Sequence, residues 1–451
     1  MLKWDRPVVL LWGVLVLIVG VGLVAKVVIE AQLRDETLAR FPDNRAPRMN
    51  ITLNDVTFEE VNSGSKEVKY EGNRLALYES GDMREFDNVE IKGRGNGTWV
   101  QEKKPYQIKF SEKVDLFGLG KARKWVLLAN AMDATNLRTK AAFYLEDLLG
   151  MKYKFEGRFV ELYIDEEYEG LYYLTHAVEI GKSVVDLRDP MGVLMELDNL
   201  YYWEEDYRES GNGDHLVLKD AVSDANKEIA RKEFMLDYDE FEKVVAEKDY
   251  EKVKELVDVE SFAQYYLLSE FSVNPDAYWT SFYMYKDGVE DKIHVGPGWD
   301  FDLAFANGWW GNWMGEEFYS PERTMIRKGE LLTQEEYEEM NLGGEIDWYA
   351  WSRGLSRIMF DMMEMPEFRG EVRRQYEMKM SNKVDELGGK ILEWTEEIEG
   401  LTWRDAEKWQ KGDYREDAKK MAEWIKKRSK FFEKEYGEGT PSDVLIEENN
   451  G

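Results

Sequence analysis

The chain has 451 residues and carries 91 acidic against 60 basic side chains, a formal net charge of −31 that argues against nucleic acid as a partner, because no concentrated basic patch offsets it. Cysteine is absent, which excludes disulfides, thiolate metal sites and a cysteine nucleophile. With 43% hydrophobic and 14% aromatic residues, the chain can bury a large core.

The first element is apolar. No charge lies between Arg6 and Lys26, and Val8–Ala25 is long enough to cross most of a ~30 Å hydrocarbon layer. This predicts one uncleaved membrane helix over 1–26; a signal peptide would have a shorter apolar run and a small-residue cleavage site. Basic residues flank both sides, and the soluble part is expected outside the cell. Residues 27–50 read as a charged stalk, and alternating apolar positions begin at Ile51.

Strands are predicted at Val89–Ile91, Tyr106–Phe110 and Phe159–Ile164, the last turning through Asp165–Gly170 into Leu171–Leu174 as a hairpin. A helix is expected from Asn136 to Leu149, stopped by Gly150. Another is expected over Phe262–Phe271, opened by Ser261-x-x-Gln264. A strand at Phe282–Tyr285 follows. Beyond residue 345 long amphipathic helices take over, with caps at Thr402-x-x-Asp405 and Asp413-x-x-Glu416. Met421, Trp424, Ile425, Arg428 and Phe431 or Phe432 share one helical face. Residues 438–451 form an acidic tail.

Three stretches could carry chemistry. Gly93-Arg94-Gly95-Asn96-Gly97-Thr98-Trp99 leaves a strand as a glycine-rich turn, either a place where backbone N–H groups approach phosphate or a structural turn. Trp299-Asp300-Phe301-Asp302 sets two carboxylates in an apolar run. They suit either a Mg²⁺ ion or a cap for a helix starting near Leu303. Asn274-Pro275-Asp276 lies between a helix and a strand; it is an ordinary turn signal, but a base-type Asp followed by a metal-type Asp is also the chain order of phosphoryl transfer.

Together with Lys103–Phe110, Leu116–Gly120, Trp125–Asn130, Asp133, Leu137-Arg138 and Leu162–Tyr172, these stretches resemble the CotH (spore coat protein H) kinase family from about residue 50 to about 310. The resemblance implies an α+β, atypical protein-kinase-like two-lobed fold over 51–340 with a helical C-terminal lobe over 341–437. It also implies binding of ATP with Mg²⁺ and phosphate transfer to Ser or Thr of a protein. On that footing Asp276 is the catalytic base and Asp300 and Asp302 the metal ligands. Arg94, Lys104, Lys109 and Arg138 are candidates for the triphosphate, and Glu179 could position one of them. One departure stands out: Trp279-Thr280-Ser281-Phe282 occupies the place where the family carries an asparagine, which puts a second metal site in question.

A rival reading is a surface interaction protein on the same scaffold, to which the aromatic patch Trp309–Met314 would contribute. Glycoside hydrolysis by paired carboxylates has no support in the spacing.

Overall fold

A computed structural model describes residues 46–198, 206–274, 276–307, 356–410 and 412–437, together with the short backbone ladder 326–327 and 330–331. The anticipated membrane helix, most of the stalk, the Trp309–Met314 patch and the acidic tail lie outside these residues. No helix among the described residues is long and apolar enough to cross a membrane.

The chain is α+β, as its pattern suggested, but its first half closes into a barrel that the pattern did not reveal. Strands β1 (Arg48–Thr52), β2 (Tyr70–Glu79), β3 (Asp82–Gly93), β4 (Tyr106–Asp115), β5 (Lys121–Leu128), β6 (Gly157–Ile164) and β7 (Glu167–His176) run in the order β1-β2-β3-β4-β5-β7-β6. With an odd number of strands, an alternating ring must contain one parallel pair. It falls between β1 and β6, with Met49 opposite Leu162 and Ile51 opposite Ile164. Closure leaves no sheet edge open to further pairing.

Period-two alternation sends Tyr106, Ile108 and Phe110 inward and Gln107 and Lys109 outward. Trp125, Leu127, Val160, Leu162, Tyr172 and Leu174 join them, so side chains fill the barrel. The β6–β7 hairpin turns on Asp165 and Glu166, both at positive φ, the geometry that matches the twist of two paired strands.

The outer face of β5 and β7, through Val126, Leu171 and Tyr173, belongs to a second core. After the short α1 (Phe58–Ser63) of the barrel half, that core lies against α2 (Arg138–Leu149), whose end is set by Gly150 in the left-handed region, and around α5 (Val259–Ser272). Every residue of α5 from Ser261 to Ser272 is buried, as expected of a helix packed on all sides. Its start differs from the predicted one: Asp258, not Ser261, is the cap and accepts the Ser261 N–H at 2.8 Å. The Ser261 hydroxyl instead accepts the Val295 N–H at 3.1 Å.

A five-stranded antiparallel sheet lies against these helices, in the order β12 (His294–Val295), β11 (Phe282–Lys286), β8 (Val193–Leu197), β10 (His215–Ala221), β9 (Tyr207–Glu209). Between β10 and α5 run α3 (Lys227–Ala246) and α4 (Tyr250–Leu256). After residue 355 come α6 (Ile358–Met363), α7 (Pro366–Gln375), a π-helical turn at Tyr376–Met380, then α8 (Glu386–Glu397), α9 (Glu399–Trp409) and α10 (Tyr414–Tyr436).

Asp413 caps α10 as anticipated, accepting the Arg415 and Glu416 N–H groups. Met421, Ile425, Arg428 and Phe432 are its buried face. Thr402 and Asp405, by contrast, cap nothing. They lie inside α9, where the Thr402 hydroxyl bonds back to Ile398 O. Asp405 is buried against Lys103 of the barrel at 2.7 Å, and α9 is the clamp between the barrel and the C-terminal helices. Arg404 pairs with Glu161 at 2.7 Å, and the Trp409 indole N–H donates to Glu169 O at 2.9 Å.

Candidate active site

Helix α5 ends where the site begins. Val273 turns into the left-handed region, a conformation disfavoured for a β-branched residue, and its N–H closes the helix onto Ser269 and Glu270 carbonyls. The buried Arg428 of α10 donates from its guanidinium to the Glu270 and Phe271 carbonyls, a cation placed at a helix C-terminus where the dipole favours positive charge.

Asn274 then joins two loops. Its amide donates to Asp300 O at 3.1 Å, and its side-chain oxygen accepts the Asp276 N–H at 3.2 Å. Because Asn274 supplies the turn bond, the Asp276 carboxylate accepts no hydrogen bond among the described residues. It faces Asp300. Lost solvation, reinforced by the Asp300 charge, pushes Asp276 up to about 8.

The second loop, 296–307, is held at both ends. The Gly298 N–H donates to the buried Glu146 carboxyl group at 2.6 Å, and the Asn307 amide donates to Asp302 O at 2.6 Å and to Met132 O at 2.8 Å. Residues 302–306 form turns, so of the two readings of Asp300 and Asp302 the cap of a helix near Leu303 does not hold. Phe305 and Ala306 have positive φ, which no helix tolerates, and the Phe305 N–H is taken by Ser272 O at 2.7 Å.

Asp300 itself has φ 66°. Counting Val273, Tyr278, Ser281, Asp300, Phe305 and Ala306, six non-glycine residues of these two loops sit at positive φ. Such conformations cost on the order of 1–3 kcal/mol each and gather where a structure over-determines its loops, as at active sites.

Asp300 keeps access to solvent, but its surroundings strip part of its solvation. This raises its pKa against the lowering effect of Arg94, and Asp198 adds to the rise. Asp302 is raised further by the same loss and by the Asp300, Asp276 and Asp133 charges. These carboxylates therefore oppose one another across a small volume.

Of the four anticipated triphosphate cations, Arg94 is the one brought to this cluster. The glycine-rich turn holds it through Arg94 N–H to Pro105 O, 3.3 Å. Its guanidinium lies 5.2 Å from the Trp299 ring centroid, faces Asp300, Tyr283, Glu196 and Asp302, and is lowered by burial against the pull of those groups.

Of the other three, two are committed to other partners. Lys104 donates to Trp99 O at 2.5 Å and to Gln101 O at 3.3 Å, bracing the glycine-rich turn. Lys109 points outward from β4, half-buried, in the row of Glu90 and Lys124. Arg138 is buried; it pairs with Asp133 and donates to Ala304 O at 3.0 Å, fastening α2 to the 296–307 loop. Glu179 does position a cation, but that cation is Lys124, at 3.3 Å.

Several contributors escaped sequence reasoning. Glu196 and Asp198 at the end of β8 repeat the carboxylate-x-carboxylate pattern of Asp300 and Asp302, the one signal that could have found them. Glu196 pairs with Lys219 at 2.7 Å. Asp198 accepts the Thr280 hydroxyl at 2.7 Å, and Thr280 lies in the stretch where an asparagine was expected. Glu146 has no local signature at all. Its role exists only because Phe155 and Gly298 are folded onto it.

Gly298 has no room for a side chain: a Cβ there would lie 2.6 Å from Glu146 Oε1 and 2.8 Å from Leu268 Cδ2. Gly298→Ala is expected to cost about 1–3 kcal/mol by overpacking, read as a lower urea midpoint at unchanged m-value. An unchanged midpoint would show that the loop moves aside freely.

Burial holds Glu146 protonated up to about 8, against an ordinary value of 4.5. Between these values the folded protein binds the extra proton, so stability is fully present below the lower value and is lost as pH rises through the upper. The thermal midpoint should fall from pH 5 to pH 9, and less steeply in Glu146→Gln. Equal slopes in the two proteins would refute the assignment.

Among the described residues, no group of three or more His, Asp or Glu side chains is arranged to cage a metal by itself. Mg²⁺ does not require one, since it commonly takes one or two carboxylates and completes its octahedron with water and substrate phosphate. Opposed carboxylates of raised pKa facing one guanidinium fit that ion, with an anion near Arg94.

The family described as CotH kinase protein matches residues 90–432, which extends past the loop of Asp302 and through most of α10. No curated protein matches the chain.

Proposed function

The chain belongs to the CotH kinase family, and on that ground we propose that it is a phosphotransferase moving the γ-phosphate of ATP to Ser or Thr of a protein, tethered to a membrane by residues 1–26. The observation that carries this reading is the meeting of Asp276, Asp300 and Arg94 from three separate segments.

Asp300 and Asp302 would hold Mg²⁺, which when bound neutralises phosphate charge. Arg94 supplies a second, fixed positive charge, oriented by stacking on Trp299. Asp276 accepts the proton of the attacking hydroxyl as its oxygen bonds to the γ-phosphorus and the bond to the bridging oxygen of ADP breaks. Burial holds Asp276 above the ordinary carboxylate range, which brings it closer to the pH at which a general base works. Asn274 holds the base loop and the metal loop in one register, so a shift of either is felt by both.

The test is calorimetric titration with Mg-ATP. Asp300→Asn is expected to weaken Mg-dependent nucleotide binding at least ~10-fold, because an amide does not replace a carboxylate charge beside a divalent ion. Equal affinity in parent and variant would discard the metal assignment. A non-catalytic binding protein is the second reading, favoured by the Thr280 hydroxyl in the expected asparagine stretch. Failure of the parent to bind Mg-ATP would favour it.

A further inference from the structure

Away from the acidic cluster, α8 and α10 enclose a groove of about 670 Å³ that no step of the proposed reaction uses. One wall is the α8 stripe with Gly388, Gly389 and Leu392. The other is the α10 stripe with Lys419, Lys426 and Lys430.

The two glycines differ in kind. A Cβ at Gly388 would stand 3.0 Å from Ala422 O, so that glycine permits close helix approach. Gly389 faces open space, with nothing within 4 Å of a Cβ. A glycine inside a helix costs about 1 kcal/mol relative to alanine, and here no contact within the described chain offsets it. Leu392 beside it is 42% exposed. The groove thus has an uncovered apolar floor.

Its rim is unusual for so acidic a chain. Lys419, Lys426 and Lys430 are exposed and form no ion pair among the described residues. Asp385, Glu423 and Glu433 also line the groove, and Glu433 is engaged by the Tyr376 hydroxyl at 2.9 Å. Helix α10 carries eight cations against five acids in a chain of net charge −31.

Helix α10 ends at Tyr436, by the end of the groove that Tyr376 and Glu433 line. The sequence that follows, residues 438–451, contains an apolar triplet, Val444-Leu445-Ile446, flanked by Asp443, Glu447 and Glu448. We propose that this segment docks in the groove between α8 and α10, its triplet on the Gly389–Leu392 floor and its acids against Lys419, Lys426 and Lys430.

Length permits this. Lys419 to Gly437 spans ~27 Å of helix, and an extended chain at ~3.3 Å per residue covers that distance within nine residues, reaching Ile446. The neighbouring face of α10 carries Arg428 on the end of α5 and Trp424 against Phe305, so α10 lies between the groove and the site loops.

The natural absence of cysteine makes the test direct. In the full chain, Gly389→Cys is combined with Leu445→Cys, and mild oxidation is followed on non-reducing gels with mass spectrometry. An intramolecular disulfide is expected to form at least ~10-fold faster than in a control joining Val100→Cys, on the barrel's exposed turn, with Leu445→Cys, because docking raises the local concentration of one thiol at the other. Adding Lys426→Glu and Lys430→Glu should remove the advantage. Should Gly389→Cys fail to fold by circular dichroism, Leu392→Cys replaces it, paired with Ile446→Cys. Rates equal to the control, or disulfides between two chains, overturn the proposal; the latter would make a second copy the occupant.

Discussion

Asp276→Asn is expected to lower phosphate transfer by ~10²–10⁴-fold while leaving Mg-ATP affinity unchanged, the range typical of general acid–base groups. The reason is positional. Asn274, not Asp276, makes the side-chain bonds of this turn, so asparagine at 276 fits the backbone and removes only the basic oxygen. Substitution also removes one of the charges that raise Asp302, so nucleotide binding should not suffer. Autophosphorylation and thermal stability are measured on the same preparation. Unchanged activity would sink the role of base. Loss of activity together with loss of the folding transition would assign Asp276 to structure instead.

Lys103→Met is expected to destabilise the protein by about 3–5 kcal/mol, the usual consequence of removing one member of a buried ion pair. Lys103 and Asp405 are 2% and 0% exposed and lie 2.7 Å apart. The ammonium also donates to Leu171 O at 2.5 Å and sits 4.7 Å from the Tyr172 ring centroid. Methionine keeps the side-chain volume but leaves the Asp405 charge in a low-dielectric interior without this cation. Converting both residues, as Lys103→Met with Asp405→Leu, should recover part of the loss, because an apolar pair avoids the desolvation that an ion pair must overcome. The Leu171 N–H, which donates to Asp405 at 2.9 Å, would lose its acceptor and set the limit of that recovery. Chemical denaturation of the two variants checks this; a single variant losing under ~1 kcal/mol would mean that α9 docks without the pair.

These two residues mark how far the sequence could be read. Local chemistry was legible: the strands at 106–110 and 159–164, the hairpin after Ile164, the helix stopped by Gly150 and the cap at Asp413 each depend on neighbours within a few positions. The two acidic stretches were legible as candidates because carboxylates interrupt apolar runs.

Barrel closure was not legible. It depends on β1 pairing with β6, a contact between strands more than 100 residues apart that no periodicity encodes. Tertiary contacts likewise decided which cation meets the acids. Lys104, Lys109 and Arg138 carry the same charge as Arg94, yet folding commits Lys104 and Arg138 to backbone carbonyls, turns Lys109 outward on β4, and brings Arg94 to the acids.

By itself, the sequence determined the family, the local elements, the absence of thiol chemistry and the two aspartate-bearing loops, because short-range pattern and residue type are sufficient for each. Only the tertiary structure decided that Asp276 faces Asp300, that Glu146 holds Gly298 and that Asp405 belongs to Lys103. The energies of those groups are set by burial and by charges distant in the chain, which no local window contains.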